Sequence, residues 1–409
     1  MKTIFLVAGA RPNFMKIAPI VRALQAHGGL AFQIIHTGQH YDRDMNEVFF
    51  EELGIPAPDV FMAAGGGSHA QQTARIMVAF EELCQAQRPD VVLVVGDVNS
   101  TLACSIVAKK LHIPVAHVEA GLRSGDRSMP EEINRLVTDS ISDWFFVTEP
   151  SGVEHLRREG HPESSIHYVG HVMVDNVLYQ AEKLAAAQGE GTAGAPVSAA
   201  GSSAAPAGDG EAAAFDARAW KAARSAAGAR YGVVTLHRPS NVDDPAMMAR
   251  IGGALAEIAA DLPLIFPVHP RTRANLEKYG VDLGPGVTLV PPQPYMAFLE
   301  LWKDAAMVLT DSGGLQEETT ALGVPCITIR ENTERPITVE EGTNVLAGTD
   351  PAVIVAEARK VLRGEAKAGR RPALWDGQAA QRIVAVLAAQ AQPYGPVSAP
   401  LIPMGDSHS

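Results

Sequence analysis

The feature that most constrains this chain is a repeated alternation of short apolar, largely β-branched runs with segments long enough for a helix. Runs at residues 3–8, 32–37, 91–95, 115–118, 144–147, 166–169, 233–236, 264–268, 287–290, 307–310 and 326–329 read as strands. Several are apolar throughout rather than at every second residue, as in parallel strands covered on both faces. Between them, residues 71–86, 101–111, 245–260 and 295–303 have the length and composition of helices. Strand and helix in alternation predict an α/β protein built on doubly wound parallel sheets.

At about 100–200 residues per domain, the 409 residues make two or three domains. The first boundary falls near Gly170, after about six strands, giving a domain over 1–170. A second covers 171–375 and carries an insertion at 186–214 that is almost entirely Ala, Gly, Ser and Pro. Such a stretch buries too little apolar surface to offset its ordering entropy and is expected to be disordered. A terminal helix is expected within 376–390, and the Pro-rich tail 391–409 is expected to be disordered. The formal net charge of −12 and the lack of a basic stripe argue against nucleic acid. Cys84, Cys104 and Cys326 are far apart, without metal-ligand or CxxC spacing, which fits a reducing compartment. The N-terminal apolar run is too short for a signal sequence, and no stretch approaches the ~18 apolar residues of a membrane span. A cytoplasmic enzyme is expected.

In open α/β sheets, ligands bind beyond the carboxyl ends of the strands. Here those ends carry Gly9-Ala10-Arg11-Pro12, Gly96-Asp97, Glu119, His237-Arg238, His269 and Asp311-Ser312-Gly313-Gly314. Two such edges facing one another would form a cleft. Ser312-Gly313-Gly314 leads into a helix, whose free N–H groups suit a phosphate; a plain N-cap is the alternative. Arg11 and Lys16 either neutralise a diphosphate or are solvated charges at a helix start. Pro19 predicts a kink or restart in that helix. Asp97 and Glu119 end neighbouring strands and are expected to lie close together, with Glu131 soon after in sequence. Carboxylates so placed supply an acid and a base, although Asp97 also suits the role of N-cap to the next helix. His36 and His40 do not share a helix face, so a metal site is not expected there. GxGxxG and Gly-x-Ser-x-Gly are both absent, which disfavours a bound dinucleotide and a serine nucleophile.

These segments resemble the non-hydrolysing UDP-N-acetylglucosamine 2-epimerases. The resemblance rests on Gly9-Ala10-Arg11-Pro12 with Met15-Lys16-Ile17-Ala18-Pro19, Thr37-Gly38-Gln39-His40, Gly96-Asp97, and His117-Val118-Glu119-Ala120-Gly121-Leu122-Arg123. It continues through Pro130-Glu131-Glu132, Asn134-Arg135, the TDSGGLQEE stretch from Thr310 to Glu318, and Thr333-Glu334-Arg335-Pro336. The motifs run in family order from about residue 3 to 385.

The resemblance implies a GT-B fold of two Rossmann-like domains with a cleft between them, the last helix packing back on the first domain. It implies elimination of UDP from UDP-GlcNAc to leave 2-acetamidoglucal, then re-addition with C2 inverted, giving UDP-ManNAc without a cofactor. It also implies a homodimer. By the same resemblance Asp97, Glu119 and Glu131 are the acid/base carboxylates, and His237 lies near the diphosphate. Arg11, Ser312, Gly313 and Gly314 contact the diphosphate, Lys16 contacts substrate, and Glu318 holds the ribose hydroxyls. Gln293 and Phe298 contact uracil, while Arg335 and His269 are further pocket residues. Two departures bear on the sugar. Arg238-Pro239-Ser240-Asn241 stands where many members have Arg-Arg-Glu, and Val98-Asn99-Ser100-Thr101 where many have a threonine run. A related UDP sugar, such as a UDP-diacetamido uronic acid, is therefore an alternative substrate. A glycosyltransferase of the same fold and a non-catalytic UDP-sugar sensor are alternative functions.

Overall fold

Every apolar run read from the sequence forms a strand in the chain's computed structural model, which describes residues 1–39, 47–189 and 215–390. His40, most of the 186–214 insertion and the 391–409 tail lie outside the described residues. The first half runs β1 (Thr3–Ala8), α1 (Arg11–His27), β2 (Ala31–His36), α2 (Glu47–Leu53), β3 (Val60–Phe61), α3 (His69–Ala86) and β4 (Val91–Val95). It continues through α4 (Asn99–Lys110), β5 (Val115–Val118), α5 (Pro130–Ile141), β6 (Trp144–Val147), α6 (Pro150–Arg158) and β7 (Ile166–Tyr168). The second half runs α7 (Val172–Gly189), α8 (Ala217–Ala226), β8 (Gly232–Thr235), α9 (Pro239–Val242), α10 (Pro245–Asp261), β9 (Leu264–Pro267), α11 (Pro270–Tyr279) and β10 (Val287–Val290). Then follow α12 (Tyr295–Trp302), β11 (Met307–Thr310), α13 (Gly313–Leu322), β12 (Cys326–Thr328), α14 (Pro336–Glu340), β13 (Asn344–Leu346), α15 (Pro351–Leu362) and α16 (Ala379–Ala389).

The residues group into two compact units. One is Met1–Val169 with α16 from Ala380; the other is Gly170–Ala379. The first holds a seven-stranded sheet in the order β3-β2-β1-β4-β5-β6-β7, and the second a six-stranded sheet in the order β10-β9-β8-β11-β12-β13. The recorded strand pairs are all parallel. Each sheet reverses its winding once, between β1 and β4 and between β8 and β11, so each has one switch point at its carboxyl edge.

The apolar runs are explained by double coverage. In the second unit, Val234, Phe266 and Leu309 pack with Ile251, Leu255 and Ile354 on one face. Val233, Ile265 and Val308 pack with Val177, Leu301 and Trp302 on the other. In the first unit, Phe5, Val7, Val92 and Val94 pack against Ile76, Phe80 and Val107.

Two expectations are corrected. Helix α1 runs unbroken through Pro19. Pro19 removes one backbone donor, but Phe14, Ile17, Ile20 and Val21 are fully buried, and that packing holds the helix across the gap. Helix α7 continues to Gly189, past the expected start of the insertion at 186, because Ala185-Ala186-Ala187 is a strong helix-forming run. Among the described residues, no helix is long and apolar enough to cross a membrane.

Candidate active site

At the switch point of the first sheet, the β1 and β4 ends deliver Gly9–Asn13 and Gly96–Asp97 side by side. The Asn13 amide oxygen accepts from the Gly9 and Ala10 N–H groups at 3.1 and 3.0 Å, and its amide nitrogen donates to the Val95 carbonyl at 3.3 Å. One side chain thus ties the β1 turn to β4. One turn further along α1, Lys16 forms an ion pair with Glu119. Glu119 is 4% exposed and sits in the left-handed region at φ 69°. That conformation is uncommon for a residue with a Cβ and marks a position held by its surroundings. Gly96 is required beside this pair. Its φ is 66°, and a Cβ there would lie 2.9 Å from the Lys16 ammonium and 3.3 Å from the Glu119 carboxylate.

Asp97 is ion-paired with Arg135, whose other nitrogen donates to Glu132 at 3.0 Å. The Asn134 amide donates to the Asp97 carbonyl at 2.8 Å. Burial alone would raise the Glu132 carboxyl, but the Ser124 and Gly125 N–H groups and Arg135 hold it below the usual carboxylate range. Asp97 does not cap α4. The Ser100 N–H at that helix start donates instead to the Gln39 side-chain oxygen at 2.8 Å, as does the Ser100 hydroxyl at 2.7 Å. The cap is supplied from the β2 loop, and Asp97 pairs with Arg135. Asp97 and Glu119 do lie at neighbouring strand ends, since Val95 is level with Val118. Each has its own cation. Glu131 is exposed on the first turn of α5, one turn before buried Arg135 and on the same side of the helix. Arg11, half-buried, places its guanidinium 5.1 Å from the centre of the Phe49 ring.

Behind this edge lies a fully buried histidine. His117 of β5 has Nδ1 2.6 Å from Asp139 and Nε2 2.8 Å from the Gly96 carbonyl. Burial would raise the Asp139 carboxyl, but His117, Arg123 and the Gly121 N–H outweigh it and hold it below its ordinary value.

At the switch point of the second sheet, β8 is followed by His237 and β11 by Asp311, which is fully buried. Asp311 accepts from the backbone N–H groups of His237 and Arg238 and from the Asn241 amide at 2.9–3.2 Å. Its carboxylate also lies 3.0 Å from Nδ1 of His237, a ring that is 47% exposed. Burial would raise the Asp311 carboxyl, but the hydrogen bond from His237 and these backbone donors hold it low. Asp311 therefore orients His237, leaving Nε2 for a ligand.

Ser312 is the N-cap of α13, yet its side chain makes no capping hydrogen bond, so the plain N-cap reading fails. The first turn, Gly313-Gly314-Leu315, keeps its donors for an acceptor from outside the helix. Arg335 lies against Gly313, its nearest guanidinium nitrogen 3.1 Å from where a Cβ would stand. Glu317 accepts from Arg335 at 2.6 Å and from His171 at 2.9 Å. Glu318, one residue on, is buried and accepts from the Tyr295 hydroxyl at 3.1 Å. Burial pushes its carboxyl up to about 8.

Gln293, half-buried, donates to the Pro291 carbonyl at 2.8 Å, and Phe298 packs partly buried on the core of its unit. His269 is exposed at the end of β9, where its Nδ1 caps α11 by accepting from the Arg271 N–H at 3.3 Å. These residues, with His237, Ser312, Gly313, Gly314, Glu318 and Arg335, all follow or flank carboxyl ends of the second sheet. Among the described residues, no group of three or more His, Cys, Asp or Glu is placed to hold a metal ion.

Reading strand ends alone missed Asp311 as a partner for His237, Arg135 as a partner for Asp97, and Glu317 and Tyr295 as partners for Arg335 and Glu318. One signal was present for Arg135. Glu132, Arg135 and Asp139 recur at i, i+3 and i+7, so a single face of α5 is charged.

A family model described as UDP-N-acetylglucosamine 2-epimerase matches residues 22–388. The UDP-N-acetylglucosamine 2-epimerase of Methanocaldococcus jannaschii is 38% identical over 388 residues, 93% of this chain and 98% of that protein. The UDP-2,3-diacetamido-2,3-dideoxy-D-glucuronate 2-epimerase of Pseudomonas aeruginosa is also 38% identical over 388 residues, 94% of this chain and 99% of that protein. The solved structure of the Methanocaldococcus jannaschii UDP-GlcNAc 2-epimerase in complex with UDP-GlcNAc and UDP superposes with a TM-score of 0.77 at 37% identity. It covers 95% of this chain and 99% of that one.

Proposed function

This chain belongs to the UDP-N-acetylglucosamine 2-epimerase family, and from that premise we propose that it interconverts UDP-GlcNAc and UDP-ManNAc by eliminating and re-adding UDP. The observation that carries the reading is the division of chemistry between the two sheet edges. The first edge presents carboxylates held by Lys16 and Arg135. The second presents an uncapped helix start beside a histidine oriented by Asp311.

In the first step a carboxylate takes the proton from C2. The C–H electron pair becomes the C1=C2 double bond, and the C1–O bond breaks with its electrons leaving on UDP. In the second step a proton returns to the opposite face of C2 and the UDP oxygen bonds again to C1. Nothing is oxidised or reduced overall, so no cofactor is required. We assign the proton transfers to Asp97, Glu119 and Glu131, residues of the 1–170 domain. The 171–375 domain holds UDP. The first turn of α13 (Ser312, Gly313, Gly314), His237 and Arg335 supply donors for the charge that develops on the leaving diphosphate. Arg11 adds to that charge stabilisation, and Lys16 contacts the substrate as well as orienting Glu119. Glu318 takes the ribose hydroxyls, and Gln293 and Phe298 the uracil, with His269 in the same pocket. The three free cysteines are all buried, which fits a cytoplasmic setting, and the family resemblance underlies a homodimer.

A second sugar is favoured by a specific observation. The Pseudomonas relative, named for a diacetamido uronic acid, is as similar as the Methanocaldococcus one. One experiment separates the readings. The enzyme is incubated in D₂O with UDP-GlcNAc alone, and in parallel with the UDP-diacetamido uronic acid, and followed by NMR. The expected result is UDP-ManNAc with deuterium at C2 and no acceptor needed. Turnover of only the uronic acid moves the assignment to that sugar, and epimerisation without deuterium at C2 overturns elimination. A requirement for an acceptor would make the chain a glycosyltransferase.

A further inference from the structure

His117 has no role in the proton transfers assigned above, yet it is buried completely among polar groups. Its two ring nitrogens face atoms that can only accept. Nε2 is 2.8 Å from the Gly96 carbonyl, which has no hydrogen to give, so Nε2 carries a proton. Nδ1 is 2.6 Å from one oxygen of Asp139, and the other oxygen of that carboxylate already accepts from the Gly121 N–H at 3.0 Å and from Arg123 at 2.7 Å. A neutral ring with its lone pair on Nδ1 would set that lone pair against a carboxylate lone pair. With Asp139 held as carboxylate by those two donors, the proton belongs on Nδ1.

We propose that His117 is a positioning residue carrying both ring protons: a buried imidazolium that grips the Gly96 carbonyl and fixes the turn that presents Asp97. Charge is balanced locally. His117 and Arg123 are the cations, Asp139 and Glu159 the anions, and Arg123 donates to Glu159 at 2.7 Å. A buried charge is tolerated only when it is paired and hydrogen-bonded, as this one is on both nitrogens.

The grip has a mechanical consequence. Gly96 is held from both sides, its N–H donating to the Val118 carbonyl at 3.0 Å and its carbonyl accepting from His117. With φ of Gly96 at 66°, that peptide sets where Asp97 emerges. It also has an electrostatic consequence. Arg135 faces Asp97, Lys16 faces Glu119, and the imidazolium stands behind Gly96. Removing the last takes one positive charge from behind the turn that carries Asp97.

The proposal rests on the epimerase reading for its link to catalysis, but its first test does not. In ligand-free protein labelled with ¹⁵N-histidine, and with His117→Gln to assign the signal, both His117 ring nitrogens are expected to carry protons at neutral pH. A bare Nδ1 at pH 7 overturns the charge. The second test follows exchange of the sugar C2 hydrogen with solvent. For His117→Gln, kcat is expected to fall by about 10–100-fold, with KM and UDP affinity within about twofold of wild type. Wild-type exchange in the variant overturns the positioning role. So does loss of UDP binding along with exchange, because it would make His117 a residue of folding. Failure of the wild-type enzyme to act on any UDP sugar would sink the epimerase reading and leave the ring-proton result standing.

Discussion

Glu318 is a carboxyl that its own fold keeps from ionising. It stands next to Glu317, under Tyr295, in the buried first turns of α13, and burial pushes it up to about 8. Burial also pushes the Tyr295 hydroxyl well above its ordinary value, so the phenol keeps its proton and donates to Glu318. If Glu318 receives the ribose hydroxyls of UDP, two new donors arrive that favour its charged form. The sign follows from proton counting. The free protein holds the Glu318 proton up to about pH 8, and the complex holds it only to a lower pH, so UDP binding at pH 7 releases a proton. Affinity therefore rises with pH through the neutral range and levels off above about 8. Calorimetry of UDP binding in buffers of different ionisation enthalpy should read release of about one proton at pH 7. That release should be absent in Glu318→Gln. Proton uptake, or no change in protonation, would mean that Glu318 is not the ribose ligand or is already charged.

The parts of the fold legible in the sequence are the elements whose burial leaves an unbroken apolar run. The interior strands are of this kind, and the sheets place them with boundaries shifted by no more than a residue. The two strands that went unread, β3 and β13, are both outermost in their sheets. An edge strand is covered less and can be two or three residues long, so it need not write an apolar run, and of the four edge strands only β7 and β10 did. The carboxylates were legible for the same positional reason: they stand at the ends of readable strands. Their partners were not, because α5 inverts the usual pattern. It buries Glu132, Asn134, Arg135, Thr138 and Asp139 and leaves Ile133 exposed. A helix that faces its unit with charges has no apolar stripe by which to orient it. The same holds for the start of α4, capped not by a neighbour in sequence but by Gln39, which lies 61 residues away from Ser100. That cap is a testable device. Gln39→Ala leaves the Ser100 N–H without its buried acceptor, while the Ser100 hydroxyl keeps the Thr37 hydroxyl at 2.7 Å, at a cost of roughly 1–2 kcal/mol. Urea denaturation of the variant should show a lower midpoint with unchanged slope. Stability equal to wild type would show that water or another side chain caps α4 equally well.

At the scale of the whole molecule, the chain divides its labour before it divides its sequence evenly. Each unit repeats one plan, a parallel sheet with a single switch point, and fills it with different chemistry: paired carboxylates in the first, an anion-ready helix start in the second. The last helix shows that the division is spatial rather than sequential. In α16, Ala380, Ile383, Val384 and Leu387 are buried, and the helix is tied to Lys2 and to the Val169 carbonyl, both in the first unit. The first unit's core therefore draws on residues that follow the whole of the second unit in sequence, while the second unit is complete by Ala379. Ile383 is fully buried, so Ile383→Ala removes apolar contact and leaves a cavity, at a cost of about 2–4 kcal/mol. Because units open separately when their cores are separate, the loss should fall on one unit. Hydrogen exchange of the full-length variant should quicken in β1 and β4–β7 and stay at wild-type rates in β8–β12, with UDP affinity preserved and C2 exchange reduced. Equal acceleration in both sheets would mean that the two units unfold as one, and acceleration confined to the second sheet would assign α16 to the wrong core.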